Sequence, residues 1–370
     1  MLSLRLLRGA RPAALGRWAL VALASCGSGL LLLAALGWAL AHPKGGTSDA
    51  VARLGWCVAP LVVTVQLAVA VGRAQSGGWP RAGLAAVGLG RNGVVLLTAA
   101  TVTVVSAFGS VLALLAFLQL RGDVTGVPYH GVGPGLLAAG RSLPPAGAVT
   151  LLALVPLTAG VVSAARLRAE GKSAEDMPGG LPWGVALVAV GLAIEVTAPD
   201  GHSFPLPSGL GSMAPAAVGG WVLTAAGLVL AGPGLVYGCG RLIAAYRPGG
   251  LRLLSGRGLQ HEARRLGRPL GLLSATAAVA LSGYGLHQHN GRTLGPVTTF
   301  AATLVCVCVL ASTAVAAMES RTERASTTAA LRELAVPATM LRASAAVRTG
   351  ALVVAFLVPT LLVAALSPTP

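Results

Sequence analysis

Few residues in this chain are of types that could do chemistry, and Glu195 is the most informative of them. It is the one acidic residue that falls inside a predicted membrane span, near the end of that span. An ionisable side chain in hydrocarbon is costly, so such a residue indicates a polar or ion-coupling site by default. A second interpretation stays open, in which the carboxylate lies close enough to the interface to be hydrated.

Histidines offer another chemistry, metal binding. His287 and His289, with His42 and His202, fall at one predicted face of the membrane. Scattered interfacial histidines are the simpler interpretation, since neither they nor the five cysteines show the spacing of a metal site. The chain also lacks the G-x-x-x-x-G-K-[ST] motif of a nucleotide-binding loop. We predict no catalytic residue, metal or cofactor, and we expect the chain not to be an enzyme.

A charged segment, "ESRTERASTTAALRELAVPATMLR", starts at Glu319 between two apolar runs. Leu331, Leu334, Ala338 and Leu341 recur at helical spacing, whereas the charged neighbours lie off that face. Pro337 is expected to break or kink the helix. The pattern predicts a short amphipathic helix along the inner membrane surface.

The composition predicts the kind of helices that hold Glu195, the histidines and the charged segment. The 370 residues are 55% hydrophobic and only 10% charged, whereas soluble domains carry about 25% charged residues. Apolar runs long enough to cross about 30 Å of hydrocarbon occur at 18–41, 54–72, 94–118, 147–165, 181–198, 214–238, 269–286, 297–318 and 346–366. The sequence therefore predicts an all-α polytopic membrane protein with about nine transmembrane helices.

The basic residues predict the orientation. All but five of the 27 Lys and Arg residues face the cytoplasm if the N-terminus does, as the positive-inside rule requires. This accounts for the net charge of +16 without a nucleic-acid partner. We expect a multi-pass protein in the lipid of the cell membrane, with a cytoplasmic N-terminus and an extracellular C-terminus.

An internal repeat organises the spans. Residues 4–9 read "LRLLRG" and residues 251–256 read "LRLLSG", and the same offset of 247 aligns three spans and their loops. Such repeats are common in transporter folds. We predict two like-oriented copies, 1–166 with four spans and 251–370 with three. Residues 167–250 would form a two-span connector and a cytoplasmic loop.

The cytoplasmic segments resemble those of the FtsX-like (MacB-type) permease subunits of ABC transporters, in which a charged run precedes Leu-x-x-Leu-Gly. The second copy has "TERASTTAALRELA" at 322–335, with Ala335 in place of Gly, and the first has "RAGLAAVG" at 81–88, with Val87 in place of Leu. The resemblance implies that both segments dock on a separate cytoplasmic ATPase dimer. The ATPase-coupling residues would be Arg81, Leu84, Val87, Gly88, Arg91, Glu323, Arg324, Leu331, Arg332, Glu333 and Leu334. A solvated juxtamembrane helix without a partner is the alternative.

The chain departs from that family in its outer loops. Family members usually place a sizeable extracellular domain between the first two spans of a unit, but here those loops, 42–53 and 287–296, are short. The resemblance implies the permease subunit of an exporter, and the short outer loops, which offer no soluble receptor, favour a lipophilic or amphipathic compound. The alternatives are an ion-coupled secondary transporter that uses Glu195 and a membrane scaffold without transport.

Overall fold

The structure, a computed structural model, describes residues 12–42, 47–77, 90–122, 143–172, 180–197, 204–205, 212–245, 249–290 and 295–366. These residues form α1 (Pro12–Ala41), α2 (Thr47–Trp56), α3 (Val58–Gly77), α4 (Arg91–Arg121), α5 (Pro145–Lys172), α6 (Gly180–Thr197), α7 (Pro215–Ala245), α8 (Gly250–Asn290), α9 (Pro296–Glu333) and α10 (Ala338–Leu366). Two short strands, β1 (Phe204–Pro205) and β2 (Ser212–Met213), pair antiparallel between α6 and α7. The all-α prediction is confirmed.

Among the described residues, eight helical stretches are long and apolar enough to cross a membrane. They are Ala14–Ala41, Asp49–Ser76, Asn92–Arg121, Pro145–Ala169, Gly180–Thr197, Pro215–Ala245, Pro296–Glu333 and Ala338–Leu366. A helix pairs its backbone groups internally, which the hydrocarbon demands because it offers no water. These stretches confirm all the predicted spans except 269–286, which lies on α8 and stays a prediction. The chain is a multi-pass membrane protein.

Large apolar side chains cover the outside of these helices. Val104 on α4 is 68% exposed, Val161 on α5 is 67% exposed, and Leu357 on α10 is 51% exposed. Extended apolar surface of this kind is unusual on a soluble protein. Facing lipid, the same side chains are in their preferred environment.

One pair of helix starts matches the predicted offset between the two copies. Helix α4 begins at Arg91 and α10 begins at Ala338, which is the offset of 247 positions found in the sequence. In both copies the first helix packs along the helix that starts there, α1 with α4 and α8 with α10. The duplication and its boundaries stay a prediction.

The chain divides into two compact units. Unit 1 comprises Met1–Ala174 and Leu294–Ser312, and unit 2 comprises Glu175–Thr293 and Thr313–Pro370. In unit 1 a core forms where α1, α4 and α5 meet, from Leu33, Ala113, Phe117, Ala148 and Leu152. The Ser28 hydroxyl of α1 lies 2.7 Å from the Thr64 hydroxyl of α3, so a polar contact joins α1 to α3 inside the apolar bundle.

Unit 2 is built on close helix contacts. Helices α6 and α7 meet through glycines, because a Cβ on Gly220 would lie 2.7 Å from the Gly191 carbonyl oxygen. Small residues at such contacts let helix backbones approach within van der Waals distance. Helices α7, α8 and α10 share a core of Val236, Leu259, Ala263 and Phe356. The Ser274 and Thr360 hydroxyls, 2.6 Å apart, join α8 to α10.

Candidate functional site

The predicted short helix from Glu319 onward is not a separate element. It is the uninterrupted end of α9, which runs for 38 residues to Glu333. A helix of that length rises about 57 Å, whereas about 20 residues suffice to cross the hydrocarbon. The prediction of an independent helix is therefore wrong. The reason is that Ala, Arg and Glu dominate 319–333 and continue a helix readily.

The chain reverses in a tight turn between α9 and α10. Ala335 has a φ of 58°, in the left-handed region that glycine adopts most easily. The Val336 amide donates to the Leu331 carbonyl at 3.1 Å, and the Ala335 amide donates to the Arg332 carbonyl at 3.0 Å. This is the usual hydrogen-bond pattern of a helix end with a left-handed residue. The predicted break near Pro337 is confirmed, and α10 begins at the next residue.

Residues 331–334 form the end of α9 and the first position of the turn, here called the helix tip. Arg332 and Glu333 are exposed, Leu331 is partly buried, and Leu334 is 75% exposed. The tip thus presents a large apolar side chain next to one basic and one acidic group. Such a combination suits a protein partner, because an aliphatic side chain in a pocket contributes about 1.5–3 kcal/mol on full burial.

Glu323 and Arg324 lie elsewhere, against α8. The Arg324 guanidinium donates through Nε and Nη2 to the two carboxylate oxygens of Glu262. Its Nη2 also donates to the Ser320 hydroxyl at 3.3 Å. Glu262 is only 6% exposed, so this is a largely buried bidentate ion pair, the strongest geometry that Arg and a carboxylate adopt.

A third helix joins the same carboxylate. Arg348 of α10 places Nη1 3.9 Å from Glu262 Oε1, and its Nη2 donates to the Ser344 hydroxyl at 3.3 Å. Glu262, Arg324 and Arg348 are called the ion cluster below. The cluster connects α8, α9 and α10 within unit 2, and sequence reasoning missed two of its three members. A signal was available, since Glu262 is an isolated acid in the basic stretch "GRGLQHEARR".

Glu323 also pairs within the protein. Its carboxylate contacts the Arg265 guanidinium, which lies 3.9 Å from Glu319 as well. The Arg265 and Glu323 side chains are 42% and 43% exposed, so water screens the pair and its contribution is about 0–1 kcal/mol. The predicted coupling residues of the second copy therefore separate into two sets: the helix tip, 331–334, and Glu323 and Arg324, which form ion pairs with residues of α8.

The coupling residues of the first copy cannot be placed in the same way. Arg81, Leu84, Val87 and Gly88 lie outside the described residues, and Arg91 is the first residue of α4. The predicted docking role of this segment stays a prediction.

Of the histidines considered for a metal, His42 stacks on Trp38 with ring centroids 4.5 Å apart, and the Arg53 guanidinium lies 3.8 Å from the Trp38 ring centroid.

Glu195 is buried in unit 2. It is 5% exposed, and it accepts a hydrogen bond of 3.1 Å from the Thr224 hydroxyl. It lines a small half-open cleft between α6, α7, α8 and α10, whose other lining residues are Trp221, Thr224, Ala225, Leu228, Ala275, Ala278, Val279, Ser282 and Val363. Glu195 is therefore enclosed by protein, and the lining of the cleft also includes the hydroxyl groups of Thr224 and Ser282. Both interpretations of Glu195 stay open.

The chain matches no model of a known protein family, no curated protein and no solved structure. The resemblance to FtsX-like permeases therefore rests on the sequence, namely on the short cytoplasmic motifs and on the arrangement of two repeats joined by two connector spans.

Proposed function

We propose that this chain is the membrane subunit of an ABC transporter, an exporter of a lipophilic or amphipathic compound. A separate cytoplasmic ATPase dimer drives it by docking on the helix tip and on the matching segment 81–91 of the first copy. The observation that carries the proposal is the tip itself. Helix α9 is longer than a membrane span and ends with Arg332 and Glu333. The exposed Leu334 follows them, just before the chain turns tightly into the next span.

The ion cluster explains how a force on the tip would reach the spans. Movement of α9 would act on Glu262 through the two hydrogen bonds from Arg324. Helix α9 cannot slide along α8 without breaking both of them. Arg348 engages the same carboxylate from α10. The three helices would therefore move as one body when nucleotide closes the ATPase dimer. In this proposal Glu323 and Arg324 position the lever, and residues 331–334 contact the partner.

The short outer loops support a lipophilic cargo. Segments 42–53 and 287–296 are too short to form a receptor domain for a soluble ligand. A compound that reaches the protein from the lipid needs no such domain. The exposed apolar helix faces give it access from the bilayer.

The proposal is tested by co-purification with the ABC ATPase encoded beside this chain's gene. Arg332→Glu together with Glu333→Lys should reduce recovery of the ATPase about tenfold, since the polarity of the tip is reversed. Arg168→Glu is the matched control, because Arg168 is an exposed residue at the end of α5 on the same predicted face. Equal recovery with the tip variant and the wild type would refute docking at the tip.

The burial of Glu195 favours a second candidate, an ion-coupled secondary transporter. An acid kept in a membrane segment at such cost is typical of proton or sodium coupling. In proteoliposomes without ATPase, an imposed proton or sodium gradient should then drive transport of a lipophilic test compound such as ethidium. Glu195→Gln should abolish that transport. If ethidium moves only when ATPase and ATP are present, this candidate is wrong.

A further inference from the structure

Helix α10 exposes a stripe of residues whose counterparts on α4 are buried. The two helices begin 247 positions apart, so each residue of α10 has a counterpart on α4. Val102 and Ser106 of α4 are both 0% exposed, whereas their counterparts on α10 are Thr349, which is exposed, and Val353, which is 56% exposed. The exposed set, here called the α10 stripe, consists of Ala345, Ala346, Thr349, Gly350, Val353 and Leu357.

Other helices cover the corresponding side of α4. A Cβ on Gly72 of α3 would lie 3.3 Å from the Cγ2 atoms of Thr98 and Val102. A Cβ on Gly160 of α5 would lie 3.8 Å from the Ala99 carbonyl oxygen. In the first copy of the repeat this side of the helix is therefore a contact between helices and not a surface for lipid.

The side chains of the stripe also differ from those on the opposite side of α10. There the exposed residues are large and aliphatic, as at Val358 and Leu362, which are 57% and 50% exposed. The first four residues of the stripe are alanine, threonine or glycine, which let helix backbones approach closely in a membrane. A Cβ on Gly350 would meet nothing within 4 Å, so no described residue fills the groove beside it.

We propose that the α10 stripe is the surface on which a second molecule of this chain docks, α10 against α10. Two molecules of one chain insert with the same orientation, so a two-fold axis along the membrane normal makes the two helices parallel and brings identical residues together. Ala346 and Gly350, which are four positions apart, have the small-xxx-small spacing of such close helix pairs. Arg342 precedes the predicted span 346–366, where water and salt screen its repulsion from the other molecule's Arg342.

The shape of the stripe favours a second molecule over an unrelated helix. Gly350 leaves a groove, and Val353, one turn further along the helix, projects beside it. Each molecule thus offers both a groove and a side chain to fill the groove of the other. Association through this surface requires neither the ATPase nor nucleotide, so the inference goes beyond the proposed function and holds or fails without it.

Two valines of equal exposure test the inference. Val353 belongs to the stripe and is 56% exposed, whereas Val358 lies on the other side of α10 and is 57% exposed, like its counterpart Val111 at 55%. Each is replaced by cysteine in the full chain, and membranes without the ATPase are oxidised with copper phenanthroline. The wild type keeps its five native cysteines and sets the background.

Val353→Cys should give a disulfide-linked dimer at least about fivefold above that background, because a disulfide needs Cβ atoms within about 4.5 Å. Mass spectrometry should identify position 353 of both molecules in the linked peptides. Val358→Cys should not exceed the background. No dimer from Val353→Cys above the wild type, or as much from Val358→Cys, would overturn the inference, as would a cross-link from position 353 to a different protein alone.

A substitution at the groove gives a second measurement. Gly350→Leu fills the groove but has open space within one molecule, so the thermal unfolding of the single chain should not be impaired. Co-purification of two differently tagged molecules in mild detergent should fall at least about tenfold. Val358→Leu is the control and should leave recovery unchanged. Equal recovery with Gly350→Leu and the wild type would also overturn the inference.

Discussion

Arg324 holds both carboxylate oxygens of Glu262, a residue 62 positions earlier in the chain and on another helix. The carboxylate is buried, and Arg348 approaches it from a third helix. The single carboxylate of Glu262 thus interacts with two guanidinium groups at the point where α8, α9 and α10 meet. The arrangement makes the stability of unit 2 depend on Glu262 more than on either arginine.

Glu262→Ala should therefore be the most damaging single change in the cluster. It leaves two arginines facing each other in a poorly hydrated place, and removal of one partner of a buried ion pair costs about 3–5 kcal/mol. Arg348→Ala should cost less, since its contact with Glu262 is 3.9 Å long. Thermal unfolding of the detergent-solubilised chain measures both. Glu333→Ala on the exposed tip is the control, expected within about 0.5 kcal/mol of the wild type, and an equal loss for it would contradict the ranking.

Removal of only the charge of Glu262 should separate docking from coupling. Glu262→Gln keeps the shape of the side chain, so the tip stays in place and the ATPase should still co-purify. The rigid link between α9 and the other two helices is weakened, and ATP-driven transport should fall about five- to tenfold, the scale of a typical coupling free energy. Transport in proteoliposomes per bound ATPase is the measurement. Unchanged transport would show that the cluster has a purely structural role.

Replacing alanine by glycine should have opposite effects on stability at Ala335, the left-handed residue of the turn, and at Ala325, inside α9. Ala335→Gly should stabilise the chain by up to about 1 kcal/mol, because glycine adopts a φ of 58° without steric cost. Ala325→Gly, at an exposed position inside α9, should destabilise it by about 0.5–1 kcal/mol. The two apparent melting temperatures should shift in opposite directions. Shifts of the same sign would argue against the turn geometry.

Two adjacent glycines of α7 test the close packing beside Glu195. A Cβ on Gly220 would lie 2.7 Å from Glu195 Cγ, whereas a Cβ on Gly219 would meet nothing within 4 Å. Gly220→Ala should therefore cost about 1–3 kcal/mol through overpacking. Gly219→Ala should be neutral or slightly stabilising in thermal unfolding of the detergent-solubilised chain, and equal effects of the two variants would rule out the close approach of α6 and α7.

Much of the fold could be predicted because local sequence determines it. Apolar length predicts the spans, and Pro337 marks the reversal between α9 and α10. The orientation that the basic residues predict stays a prediction. The extent of α9 was predictable as well, because residues 319–333 contain no helix-breaking residue. The amphipathic period of the leucines was misleading there, since it describes a face of the helix and not where the helix begins.

The partners of the charged residues could not be predicted in this way. Glu323 and Arg324 resemble Arg332 and Glu333 in type, and all four lie on one helix. Which of them face the protein depends on where α8 and α10 pass, and that is a tertiary property. The same holds for Glu195, whose burial follows from the glycine contacts between α6 and α7. A single sequence places such residues on a helix but does not reveal what lies opposite them.

Photo-crosslinking from the helix tip tests the central claim most directly. Benzoylphenylalanine at position 334, where Leu334 is 75% exposed, is irradiated in membranes that contain the ATPase encoded beside this chain. The same group at position 104 on α4, where Val104 is an exposed residue of a span, is the control. The account predicts a covalent adduct with the ATPase from position 334 and none from position 104. No adduct from position 334 with a co-expressed ATPase, or equal adducts from both positions, would contradict it.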